Sequence, residues 1–181
     1  MPKHLSSGDD ESRSTRHSKI TGDFGERMTL YLLSREGFEC AYVDHTGMDI
    51  IARNRITNEL MGISVKSRSR NLRNERGSLN IPVAEFKKLE RACKEFGCEP
   101  YYALVIDATK GGVFVLRLSK LKELSHINQH TLYWNMNALN QEKYKSNREI
   151  KWFTFEIHRG NWWDKTNKLN GPTVKTIRST R

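Results

Sequence analysis

The chain lacks any apolar run that approaches the roughly 18–20 residues a transmembrane helix requires, and nothing at its start looks like an apolar leader, so a cytoplasmic location is expected. Cysteine is scarce. Cys40, Cys93 and Cys98 are odd in number and form no Cys-x-x-Cys pair, which argues against both a disulfide framework and a thiolate zinc site and leaves reduced, buried thiols. His126 and His130 are spaced to share a helix face, but no cysteine or acidic residue completes a ligand set, and both read as surface residues. With 181 residues the chain is long enough for one domain with a real core and short for two.

Acidic charge is also in short supply. Against 31 Lys and Arg stand 21 Asp and Glu, giving a formal net charge of +10. Such an excess suits a polyanionic partner without specifying a fold. Its placement says more. Residues 66–76 carry Lys66, Arg68, Arg70, Arg73 and Arg76 against Glu75 alone, a pattern open to two readings, a solvated loop or a phosphate-binding segment. Residues 160–181 are basic again and hold Trp162 and Trp163, which would either stack on nucleic-acid bases or anchor the tail to its own domain or a second subunit. Residues 1–19 are rich in Ser, Asp, Glu and Arg with almost nothing to bury, and are expected to form a disordered arm.

Between these ends, strand and helix signals alternate. Residues 21–38 read as a capped amphipathic helix with Phe24, Met28, Tyr31 and Leu32 on one face, Glu26 in the first turn and Gly37 as the stop. Residues 47–52 and 61–66 read as two short strands joined by the polar turn 53–58. In a strand of period two, Ser64 and Lys66 share a face while Val65 points into a core, so a hydroxyl and an ammonium stand within reach of Asp49. Residues 83–96 form a strongly amphipathic helix, with Phe86, Leu89, Ala92, Cys93 and Phe96 on its apolar face and Gly97 ending it. Residues 101–107 are a nearly continuous apolar run, as in a strand buried on both faces. A turn at 109–112 leads into a strand at 113–118 and a short helix at 118–124. The crowded polar segment 125–150 reads as an insertion with one short helix, and 151–158 alternates like an edge strand. The pattern implies a mixed sheet with helices on both faces.

The order of a helix Glu (Glu26), a strand Asp (Asp49) and a strand x-Val-Lys ending at Lys66 resembles the PD-(D/E)xK nuclease superfamily, in particular its restriction-endonuclease-like and Holliday-junction-resolvase-like members, over residues 21–124. The resemblance implies an α/β fold, a three-layer αβα sandwich around a central mixed sheet spanning residues 20–159. It also implies a Mg²⁺- or Mn²⁺-dependent endodeoxyribonuclease acting on DNA, with RNA as the other candidate substrate, and a homodimer that cuts two strands. Asp49, Glu26 and the Val65 carbonyl would hold the ion, and Lys66 would orient the attacking water. One position departs from the pattern: Ser64 stands where the family has Glu, Asp or Gln, and a hydroxyl is a poor ligand for a divalent cation. Some restriction enzymes resemble this Ser-x-Lys arrangement with the carboxylate moved to the next helix, where Glu85 lies here; an acidic residue in a first turn after a proline also has a plain dipole explanation. Other members keep the fold for binding alone, so an inactive nucleic-acid-binding module is the alternative.

Overall fold

The computed structural model describes residues 16–69, 77–108 and 110–156. It opens with helix α1 (His17–Arg35), followed by strands β1 (Phe38–His45), β2 (Met48–Asn54) and β3 (Leu60–Ser69). Then come β4 (Leu79–Pro82), helix α2 (Ala84–Phe96), β5 (Glu99–Asp107), β6 (Lys110–Arg117) and helix α3 (Leu118–Leu124). The described chain closes with β7 (His126–Ile127), β8 (Thr131–Trp134), helix α4 (Ala138–Lys145) and β9 (Lys151–Glu156). The expected α/β architecture is present, a central mixed sheet with helices on both faces. Six strands form that sheet in the order β1-β2-β3-β5-β6-β9. Its neighbours are antiparallel except β3 and β5, which run parallel from Met61 opposite Glu99 to Ser69 opposite Asp107. A parallel pair needs a crossover, and α2 lies within it.

Each face of the sheet has its own core. On one, α1 sets Leu32 and Leu33 against Ile50, Ala52, Ile63, Val65, Ala103 and Val105. On the other, α2 and α3 bring Phe86, Leu89 and Leu121 against Tyr102, Leu104 and Leu116. Residues 101–106 are therefore buried whichever way they point, which is why that segment shows no polar alternation. Helix α2 begins and ends where its pattern predicts, although Phe96 is exposed rather than part of the apolar face.

Four expectations are corrected. First, Thr21 is not a cap: α1 starts at His17, and the Thr21 hydroxyl donates back to the His17 carbonyl at 2.9 Å. Residues 17–19 thus belong to the helix, and Glu26 lies in its middle, not its first turn. The buried stripe is Thr21, Gly25, Thr29, Leu32 and Leu33; Phe24 and Met28 flank it, and Tyr31 is exposed. Small residues win the inner positions because the helix rides close on β3. A side chain at Gly25 would overlap Ser67. Second, Gly111 and Gly112 lie inside β6, where the Phe155 ring occupies the space a Gly111 side chain would need, so the strand begins at Lys110 rather than at 113. Third, the 125–150 segment holds more than a helix. Its strands β7 and β8 join β4 in a second, three-stranded sheet covering the α2 side, with Trp134 stacked on Tyr144 of α4. Fourth, His126 lies in β7 and His130 outside any helix, so they share no helix face, although both are exposed as expected.

Strand β9 takes the sheet edge as predicted, with Phe153 and Phe155 turned toward α1 and Trp152 exposed. The expected arm over residues 1–15, Arg70, Arg73, Arg76, residues 157–159 and the Trp-containing tail at 160–181 lie outside the described residues. Among the described residues no helix is long and apolar enough to cross a membrane.

Candidate active site

The predicted hairpin forms, and its open end carries the site. Pairing of β2 with β3 runs from Arg53 opposite Leu60 to Ile50 opposite Ile63. Asp49 comes next, beyond the last pair, and its Oδ2 accepts the Val65 N–H at 2.6 Å. The carboxylate thus takes the place of a ladder partner, and the Ser64 hydroxyl also bonds to it. Burial pushes the Asp49 carboxyl above the ordinary aspartate range, with Asp44 adding to the shift, while the Val65 N–H, Lys66 and the Ser64 hydroxyl pull against it.

Ser64 and Lys66 point to the α2 side, as period two requires, and Val65 points to the α1 side, where it is buried. Lys66 Nζ lies 3.6 Å from Oε2 of Glu85 in the first turn of α2, an ion pair slightly too long for a hydrogen bond. Lys88 donates to Oε1 of the same carboxylate at 2.7 Å. That bond, with Lys66 in support, holds the Glu85 carboxyl below the usual glutamate range. Glu85 therefore faces β3 rather than solvent or the helix packing. A backbone approach fixes this arrangement: Gly47, at a φ of +92°, lets the turn before Asp49 sit against α2 so closely that a β-carbon there would come within 2.7 Å of the Lys88 carbonyl carbon.

From the opposite face, Glu26 reaches the same edge of the sheet. Burial raises its carboxyl, a hydrogen bond from the Tyr42 phenol lowers it, and Asp49, Asp23 and Asp44 repel it. The Tyr42 hydroxyl is driven up to about 12, chiefly by that bond to Glu26. Arg27 covers the Tyr42 ring at 4.4 Å.

The structure thus sets Asp49 beside Ser64, Val65 and Lys66, with Glu26 in electrostatic range of Asp49 and Glu85 paired with Lys66. Arg68, the one described arginine of the basic segment, is exposed on β3. Among the described residues no three His, Cys, Asp or Glu side chains are gathered tightly enough to hold a metal ion. Sequence reasoning missed four neighbours: Tyr42, Asp44, Lys88 and Tyr102. Asp44 sits at an irregularity in the pairing of β1 and β2 with a φ of 40°, and only its place before the Thr46–Gly47 turn hinted at it. Tyr102 lies opposite Ser64 in the parallel register, fully buried, its ring edge-to-face on Phe86 at 6.0 Å. Its hydroxyl has no hydrogen-bond acceptor among the described residues, yet lies within electrostatic range of Glu85 and Asp49. The apolar run around it disguised a polar tip.

No protein-family model matches the chain. No curated protein matches it. Among solved structures the chain is similar to the 1.6 Å structure of Archaeoglobus fulgidus Hjc, a Holliday junction resolvase from an archaeal hyperthermophile, at 22% identity and a TM-score of 0.45, covering 60% of this chain and 86% of that one.

Proposed function

We propose that the chain is a metal-dependent nuclease that hydrolyses phosphodiester bonds in DNA. The observation that carries the reading is Asp49 bound at 2.6 Å to the Val65 N–H, beside Lys66 and, across it, Glu85. The surroundings suit a cation. Asp49 and Glu26 are half-buried carboxylates whose charged forms are disfavoured, so an added positive charge relieves both. The donors are oxygens, which matches Mg²⁺ or Mn²⁺, and the orphaned Tyr102 hydroxyl leaves a polar atom to be satisfied at the same place.

Asp49 would hold the ion, with Glu26, the Val65 carbonyl and Glu85 completing the set. When bound, the ion supplies Lewis acidity and a water acidified by several pKa units. The chain's own groups do the rest. Lys66, released from Glu85, orients the attacking water and offsets charge on the phosphate. Glu85 replaces the carboxylate that Ser64 lacks. The Val65 N–H keeps Asp49 from rotating out of line. Arg68, with Arg70, Arg73 and Arg76, tracks the phosphate backbone, and two copies of the chain cut the two strands.

The test is plasmid nicking with Mg²⁺ or Mn²⁺. Wild type should cut only with the metal, and Asp49→Ala should lose cutting while keeping its DNA affinity; robust cleavage by the purified variant refutes the reading. A second reading, a binding module without catalysis, draws on the pairing of Glu85 with both Lys66 and Lys88, which already neutralises the replacement carboxylate. Salt-sensitive DNA binding with no metal-dependent nicking would favour it.

A further inference from the structure

Resting on that reading of the site, we propose that Tyr102 is a positioning residue whose hydroxyl donates to the Glu85 carboxylate when a divalent cation draws Glu85 away from Lys66 and toward Asp49. Tyr102 is fully buried and its hydroxyl lacks an acceptor among the described residues, although phenylalanine would fill the same volume without leaving a polar atom unmet. The phenol lies within electrostatic range of both Glu85 and Asp49. It stands beside Ser64 across β3 and β5, and its ring meets Phe86, the residue after Glu85.

Glu85 is the acceptor with room to move. Asp49 already takes the Val65 N–H at 2.6 Å and the Ser64 hydroxyl. Glu85 is held by one exposed lysine at 2.7 Å and by Lys66 at 3.6 Å, beyond hydrogen-bonding length. Ser64 is too short to supply the missing carboxylate, so Glu85 must travel, and a donor waiting on β5 defines where it stops. Tyr102 acts on the ion through Glu85 and touches no substrate.

The experiment uses the full chain and MnCl₂ alone, with affinity from calorimetry and the thermal midpoint measured without metal. Tyr102→Phe should keep or raise the metal-free midpoint and weaken Mn²⁺ binding about threefold to tenfold, the worth of one hydrogen bond. In a Glu85→Ala background the same substitution should change affinity by less than about twofold, because the hydroxyl has lost its acceptor. Unchanged Mn²⁺ affinity in Tyr102→Phe overturns the inference, as does an equal loss in both backgrounds. A lowered metal-free midpoint with unaltered affinity also overturns it, by showing a purely structural partner. Asp49→Asn separates the two levels. If wild type binds no Mn²⁺, or Asp49→Asn binds it equally well, the metal reading falls and takes the inference with it. Binding that needs Asp49 but ignores Tyr102 sinks the inference alone.

Discussion

At Gly25 helix α1 lies tight against β3, and adding one carbon there tests whether the helix that carries Glu26 is seated as described. A β-carbon on Gly25 would overlap the Ser67 hydroxyl and lie 2.9 Å from Ser67 Cβ and 3.4 Å from Val105 Cβ. Rotating the serine relieves the first contact but not the second, so the helix or the strand must shift. In a free helix interior alanine is better than glycine by about 0.8–1 kcal/mol, whereas forcing a carbon into a packed core costs about 1–3 kcal/mol. Gly25→Ala should therefore destabilise by about 0–2 kcal/mol, and each 1 kcal/mol lowers the midpoint of a chain this size by about 2–4 °C. Ser67→Gly removes both Ser67 atoms that obstruct the new carbon. In that background Gly25→Ala should turn stabilising by about 1 kcal/mol, which makes the coupling in the four-protein cycle about 1–3 kcal/mol. Urea denaturation of the four proteins measures it. If Gly25→Ala stabilises wild type by the full helix-propensity gain, α1 does not press on Ser67, and the route by which Glu26 is delivered to Asp49 is wrong.

Asp49→Asn keeps an acceptor for the Val65 N–H but removes a charge whose folded pKa is raised. The protonated form contributes stability that is fully present below the unfolded value of about 3.9 and is lost as pH rises through the folded value. Denaturant titrations should find Asp49→Asn more stable than wild type at neutral pH, with the gap closing toward about pH 3.5; a gap independent of pH refutes the assignment. Ser64 is 3% exposed, so Ser64→Glu should tighten Mn²⁺ binding in calorimetry while lowering metal-free stability by about 1–3 kcal/mol; weaker binding would mean that Glu85 or another group already fills that place. Changing Arg68, Arg70, Arg73 and Arg76 together to Gln should flatten the plot of log DNA affinity against log salt by up to about three or four units, and an unaltered slope would mark them as solvated charge.

What was legible in the sequence was what local periodicity controls. The hairpin, α2, β5, α3 and the edge strand β9 each carry their pattern within a dozen or so residues and needed no knowledge of distant partners. β1 went unread because most of its positions are exposed and show no clean alternation. β4 and β8 are short, and pair Leu79 with Trp134 and Ile81 with Leu132, a long-range match that no window along the chain contains. The start of α1 was misjudged because Thr21 and Gly22 look like a cap and a break, whereas close packing on β3 favours small residues there. At the site, the groups on one hairpin were legible together. Tyr42, Asp44 and Tyr102 were not, because the approach of Tyr42 to Glu26, of Asp44 to Asp49 and of Tyr102 to Glu85 arises only from the sheet order and the bulge in β1.

The parallel pairing of β3 with β5 governs when in folding the site can exist. An antiparallel hairpin closes locally, but a parallel pair must first close the whole crossover, an entropic cost met before its contacts form. Asp49 and Lys66 meet on the early hairpin, while Glu85 rides on the crossover and Tyr102 on its far strand. A nascent chain released before β5 would thus carry only the hairpin half of the proposed site, with α2 unanchored. Under the proposed reading, metal-dependent cleavage would require the β3–β5 pair and so would report on closure of that crossover rather than on the hairpin alone.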